Sequence, residues 1–143
     1  LYGPKGLGGP GVFLHGVATR PGKPTIVGAV GGKPILGLPG NPVSAMVQFD
    51  MFGPPAIGRL QGMSHTPVRN RVWATLTLNV PSESGREDYI PARLEQTDAG
   101  LTATPVFGKS NLIFTLIQTD GLIKVPLNRS GLTAGSLVEV IPF

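Results

Sequence analysis

The chain contains no cysteine, which removes disulfides, thiolate catalysis and cysteine-based metal sites. Its two histidines, His15 and His65, are too few for a structural zinc centre. His15, alone after a short apolar run, reads as a structural hydrogen-bonding residue rather than a base. No apolar run approaches the roughly 18–20 residues that span a membrane. The opening LYGPKGLGGPG lacks the charged start and long apolar core of a signal peptide, so a cytoplasmic protein is the expectation. Acidic residues are scarce at first. Residues 1–62 hold five Lys/Arg against Asp50 alone, whereas residues 63–143 hold seven of each sign. The basic residues form no run and do not alternate with aromatics, which argues against a nucleic-acid partner.

What is present is apolar enough to fold: 41% hydrophobic residues in 143 place the chain outside the disordered class. Residues 1–11 carry five glycines and two prolines, and read as a leader or linker. Val12-Phe13-Leu14 reads as a strand, as do Thr25 to Val30 and Lys33 to Leu38, the last two joined by a Gly31-Gly32 hairpin turn. Residues 43–52 (VSAMVQFDMF) are apolar on nearly every side, which predicts a buried helix that Gly53-Pro54-Pro55 stops, with Ala56 to Leu60 forming one further turn before Gly62.

Met63 to Pro67 reads as a linker, and the periodicity then changes. Ala74, Leu76, Leu78 and Val80 alternate with Thr75, Thr77 and Asn79, the pattern of a half-buried strand. Tyr89 to Leu94 is extended, with Pro91 marking an edge or bulge. Leu101 to Val106, Leu122 to Pro126 and Ser136 to Ile141 add strands, and Ser110 caps a short helix over 111–118. Trp73 is read as core or interface area. Short strands at such spacing predict a small sheet or barrel. The expected organisation is therefore an α/β piece over residues 12–62, then a mostly β unit over 63–143.

One stretch concentrates the chemistry: Arg20-Pro21-Gly22-Lys23-Pro24, then Gly37-Leu38-Pro39-Gly40-Asn41-Pro42-Val43-Ser44-Ala45. Asn41 suits the N-cap of the helix, and Pro42 the first helical position, where its missing N–H costs nothing. The N–H groups and dipole of that helix end favour an anion. Arg20, Lys23 and Lys33 are the nearby cations in sequence. An anionic, phosphorylated ligand follows as the expectation.

The pairing of RPGKP with GLPGNPVSA, together with GREDYIPARLEQTDAGLTATPVFGKSNLIFTLIQTDGLIKVP and the closing AGSLVEVIPF, resembles the molybdopterin molybdenumtransferase family, MoeA and the E domain of gephyrin. The resemblance covers residues 12–143. It implies the end of a MogA-like three-layer α/β domain followed by a small, mostly β, barrel-like C-terminal domain. Members are much longer, so the chain corresponds to the C-terminal portion only. An α/β domain with half its sheet elsewhere would expose apolar surface, and this portion alone is expected to be inactive.

The implied reaction inserts molybdate into adenylylated molybdopterin to give molybdenum cofactor and release AMP, with a divalent cation, Mg2+, in the whole enzyme and no metal ligand in this stretch. Residue by residue, Arg20 matches a basic group that attracts molybdate or a substrate phosphate, its role electrostatic and catalytic. Lys23 shares its turn, and Pro39, Gly40, Asn41 and Pro42, with Ser44 following, match the turn that lines the pocket. Ser110 matches a serine from the C-terminal domain. Two positions depart from the pattern: Gly16 stands where some members have lysine, and Pro91 where some have arginine, leaving Arg93 as the nearest candidate.

A homodimer and a molybdopterin-adenylylating partner protein are implied, with no membrane partner. Structural alternatives stand beside these roles. The Pro39–Pro42 turn can be only a strand-to-helix connection, Ser110 only a helix cap, and Arg93 an exposed strand charge paired near Glu95. The alternative function is a scaffold or peptide-binding module of the gephyrin E-domain type.

Overall fold

The computed structural model describes residues 10–65, 69–108 and 117–143. The first part runs β1 (Pro10–His15), β2 (Thr19–Arg20), β3 (Ile26–Val30), β4 (Lys33–Gly37) and α1 (Pro42–Leu60). The second runs β5 (Val72–Leu76), β6 (Val80–Pro81), β7 (Glu87–Thr97), β8 (Gly100–Pro105), β9 (Gly121–Val125), β10 (Gly131–Leu132) and β11 (Leu137–Pro142). Contacts divide the chain into two compact units. One takes the described residues of Leu1–Val17 and Gly22–Pro67; the other takes Ala18–Pro21 and the described residues of Val68–Phe143.

The first unit is an antiparallel sheet in the order β1-β3-β4, with α1 following. The β-branched run of β3 lies in the middle, and the β3–β4 hairpin closes on Gly31-Gly32 with Val30 opposite Lys33. α1 buries Val43, Ser44, Val47 and Gln48 in its first two turns. It does not stop at Gly53-Pro54-Pro55, as the sequence predicts, but continues to Leu60. Pro54 and Pro55 lie inside the helix and carry no N–H to continue its hydrogen-bond ladder. Pro54 is exposed and Pro55 half-buried. The C-terminal end then closes normally, with Gln61 N donating to Ile57 O at 3.0 Å and Met63 N to Gly58 O at 2.9 Å.

The second unit is a closed barrel. Its strands follow β7-β8-β5-β11-β9, and β9 pairs back onto β7. Ala74, Leu76, Ala92, Ala103, Ile123, Val125, Val138 and Val140 fill it, each at most 3% exposed. Alternation along the strands produces that lining, because successive side chains take opposite faces. Closure also removes the free edges that a five-stranded sheet would otherwise present. A β6–β10 ribbon stands beside the barrel strands in sequence, with Leu132 opposite Val80.

Three expectations change here. Leu78 falls after β5 ends and is exposed, while Ala74, Leu76 and Val80 are buried as the alternation requires. Trp73, read as core or interface area, is 60% exposed on the outer face of β5, which excludes only the core half of that reading; its neighbours Val72 and Ala74 set the pleat, and Ala74 takes the inside. Pro91 marks neither edge nor bulge, but lies within β7 opposite Leu122 of β9. Its carbonyl accepts from Val106 N at 2.8 Å. The missing N–H points the same way, just beyond the last rung of the β7–β8 ladder at Ala92↔Pro105, so no ladder bond is lost.

Candidate anion-binding site and its supports

In the first unit, the residues expected to bind substrate gather at the start of α1. Asn41 is extended at φ −75°, ψ 124°, and its Oδ1 accepts from Ser44 N at 3.3 Å. Its carbonyl accepts the first helical bond, from Ala45 N at 2.9 Å. Pro42 occupies the first helical position as the sequence predicts, and the first turn holds no acidic residue. A bound anion there would meet the positive end of the helix dipole with no carboxylate opposing it. Ser44 is buried at 7% exposure, Pro39 and Asn41 are half-buried, and Gly40 is exposed.

The RPGKP turn belongs partly to the same unit. Lys23 is exposed, and its carbonyl accepts from Val17 N at 2.9 Å. Thr25, fully buried, donates its hydroxyl to Gly22 O at 2.7 Å. Gly22 lies directly against Gln48 of α1, with φ +119°, so the turn is seated on the same helix that Asn41 caps. Sequence reading missed Gln48 as a site residue, although it is one of three polar residues, with Ser44 and Asp50, in the otherwise apolar run 43–52.

Arg20 is placed differently. The sequence reads it as part of a basic turn; the structure puts Thr19–Arg20 in a short strand that pairs in parallel with β7. Glu87 N donates to Ala18 O at 2.8 Å, so this strand belongs to the barrel unit. Register sets Arg20 opposite Asp88. The Arg20 Nη1 lies 4.0 Å from Asp88 Oδ2, with the arginine side chain 63% exposed and the carboxylate 1%. Arg86 completes the group: its Nε donates to Asp88 Oδ1 at 2.9 Å, and its Nη1 pairs with Glu83 at 2.9 Å. Asp88 and Arg86 were also missed. Arg86 immediately precedes β7 and Asp88 is its second residue, and the adjacent opposite charges of Arg86-Glu87-Asp88 are the signal that could have found them.

Beside this group, Glu87 accepts from Lys124 at 2.9 Å and from the Tyr89 hydroxyl at 2.8 Å. Burial pushes the Glu87 carboxyl upward, but hydrogen bonds from Lys124 and Tyr89 and the charges of Lys124 and Arg71 outweigh it, leaving the carboxyl below its ordinary range. Tyr89 is raised well above the usual tyrosine range, by burial first and then by its hydrogen bond to Glu87.

Arg93 does not pair near Glu95. It is exposed on β7, with Nε donating to Gln118 O at 2.8 Å and Nη2 to Gln118 Oε1 at 3.2 Å. Ser110 lies outside the described residues. Among the described residues no three His, Asp or Glu side chains group to hold a metal. Among them, too, no helix is long and apolar enough to cross a membrane.

Residues 74–143 match the MoeA C-terminal region (domain IV), and residues 2–59 match a probable molybdopterin binding domain. The chain belongs to the MoeA family. A molybdopterin biosynthesis protein of Methanocaldococcus jannaschii is 36% identical over 129 residues, covering 90% of this chain and 29% of that protein. Molybdopterin molybdenumtransferase 2 of Mycobacterium tuberculosis is 35% identical, covering 91% of this chain and 32% of its own length. Among solved structures, a MoeA molybdopterin biosynthesis protein from Pyrococcus horikoshii superposes with a TM-score of 0.77 at 34% identity, covering 96% of this chain and 33% of that one. A molybdenum cofactor biosynthesis protein from Pyrococcus furiosus gives 0.78 at 27% identity, over 92% and 45%. The chain spans about a third of the length of the curated relatives it matches. The likeness to MoeA structures extends over both units, including the five-stranded closed barrel of the second.

Proposed function

We propose that this chain supplies part of the substrate-binding surface of a molybdopterin molybdenumtransferase, which inserts molybdate into adenylylated molybdopterin and releases AMP. The observation that carries the reading is the start of α1, capped by Asn41 and free of acidic residues, an arrangement suited to an anionic group. Pro39, Gly40, Pro42 and Ser44 shape that turn, and Lys23 adds a cation in the loop seated on the same helix. Arg20 supplies a fixed positive charge for molybdate or a substrate phosphate, and favours charge that develops as the oxyanion reacts. Ser110 and Arg93 remain candidate contacts of the second unit.

On this reading the divalent cation, Mg2+, and the groups that grip the pterin come from other parts of the whole enzyme, and the segment alone is inactive. The whole enzyme acts as a homodimer in the cytoplasm and receives its substrate from an adenylylating partner. The test is molybdate-dependent conversion of adenylylated molybdopterin by the intact protein. Arg20→Ala should lower the rate about 10- to 100-fold. An undiminished rate removes Arg20 from the mechanism, and absence of any conversion by the unaltered protein removes the function.

A further inference from the structure

We infer that Asp88 is a positioning residue for Arg20, its charge biasing the exposed guanidinium toward one orientation for an oxyanion. The inference rests on the reading of Arg20 as an oxyanion-binding group. Asp88 is 1% exposed, unusual for a carboxylate, and its two oxygens are used unequally. Oδ1 accepts from Arg86 Nε at 2.9 Å, whereas Oδ2 has no hydrogen-bond donor among the described residues and lies 4.0 Å from Arg20 Nη1. Arg86 is itself held by Glu83, so the carboxylate is braced from behind with one oxygen turned toward Arg20.

That geometry is too long for a hydrogen bond. It supplies orienting charge while leaving the guanidinium's donors open to an incoming ligand. A buried, fully bonded ion pair would have spent those donors on the protein. The parallel pairing of β2 with β7 fixes the backbone beneath both residues, so the barrel presents Arg20 on a rigid strand instead of a loop.

The sign of the effect separates positioning from simple charge. Neutralising a nearby carboxylate should tighten an anion by electrostatics alone; loss of positioning should weaken it. The experiment is calorimetric titration of the intact protein with molybdate alone, for the unaltered protein, Arg20→Ala, Asp88→Asn and the double variant, each checked for folding by circular dichroism.

The expected result is about 10-fold weaker binding for Arg20→Ala, about 3- to 10-fold for Asp88→Asn, and a double variant no weaker than Arg20→Ala, because coupled residues do not add. Equal or tighter binding by Asp88→Asn, or an independent additive loss, overturns the positioning role while Arg20 keeps its own. Unchanged affinity in Arg20→Ala overturns the site reading, and the positioning role with it. If Asp88→Asn does not fold, Asp88→Glu, which keeps the charge but displaces it, should weaken molybdate about 2- to 3-fold only when Arg20 is present; affinity equal to the unaltered protein overturns the role.

Discussion

Gln48 fills the space that a side chain on Gly22 would need. A Cβ at Gly22 would lie 2.2 Å from Gln48 Nε2 and 2.3 Å from its Cγ and Cδ, and the glycine's φ is +119°. Gln48 is fully buried, so it has no solvent to swing into. Two penalties coincide: a left-handed backbone that disfavours any side chain, and a steric conflict with a packed neighbour. Gly22→Ala should therefore destabilise the protein by about 2–4 kcal/mol, read as a lowered urea midpoint with unchanged slope. Gln48→Ala combined with Gly22→Ala should recover part of the loss, since the steric term then vanishes.

The conflict shows what the sequence could and could not convey. RPGKP is legible as a turn, because glycine and proline act through local backbone preferences. Its seat on α1 is not legible, because Gly22 and Gln48 meet only after the chain folds. The start of α1 was fully readable: Asn41, Pro42 and the run from Val43 obey rules that operate within one turn of helix. The end was not, since α1 runs on through Pro54 and Pro55 to Leu60, against the local preference of proline. The barrel's alternation announced Ala74, Leu76 and Val80 as core, while its closure through β9 and β7 is a non-local pairing. Arg20 illustrates the limit most clearly. Its charge was evident at once, but its strand partner, Asp88, lies far along the chain in a segment read only for its general resemblance.

The pair of Glu87 and Tyr89 predicts losses of stability at both ends of the pH scale. Glu87 has its folded pKa below the ordinary value of 4.5. Its contribution is thus present above that value and is lost as pH falls through the lower folded pKa. Tyr89 is raised above its ordinary value of 10.0. Its contribution is present below pH 10 and is lost as pH rises from there toward the folded pKa, because the unfolded phenol ionises first. Thermal midpoints should fall on both flanks. Tyr89→Phe should flatten the alkaline decline, and Glu87→Gln the acid one. A Tyr89→Phe profile parallel to the unaltered protein above pH 10 would exclude the phenol as its source.

Asn41 separates stability from ligand binding at the start of α1. Asn41→Ala removes the acceptor for Ser44 N and should cost about 1 kcal/mol, the usual value of an N-cap. Asn41→Asp keeps an oxygen in the same place and adds a negative charge at the positive end of the helix dipole. Stability should therefore be equal or greater by about 0.5 kcal/mol. Anion binding should respond in the opposite direction, because the new carboxylate occupies the helix end and repels an incoming anion. Molybdate or phosphate affinity should drop at least about 5-fold in Asn41→Asp while its urea midpoint holds or rises. A merely structural turn predicts the same stability effects but leaves Asn41→Asp indistinguishable from the unaltered protein in every titration with an anion.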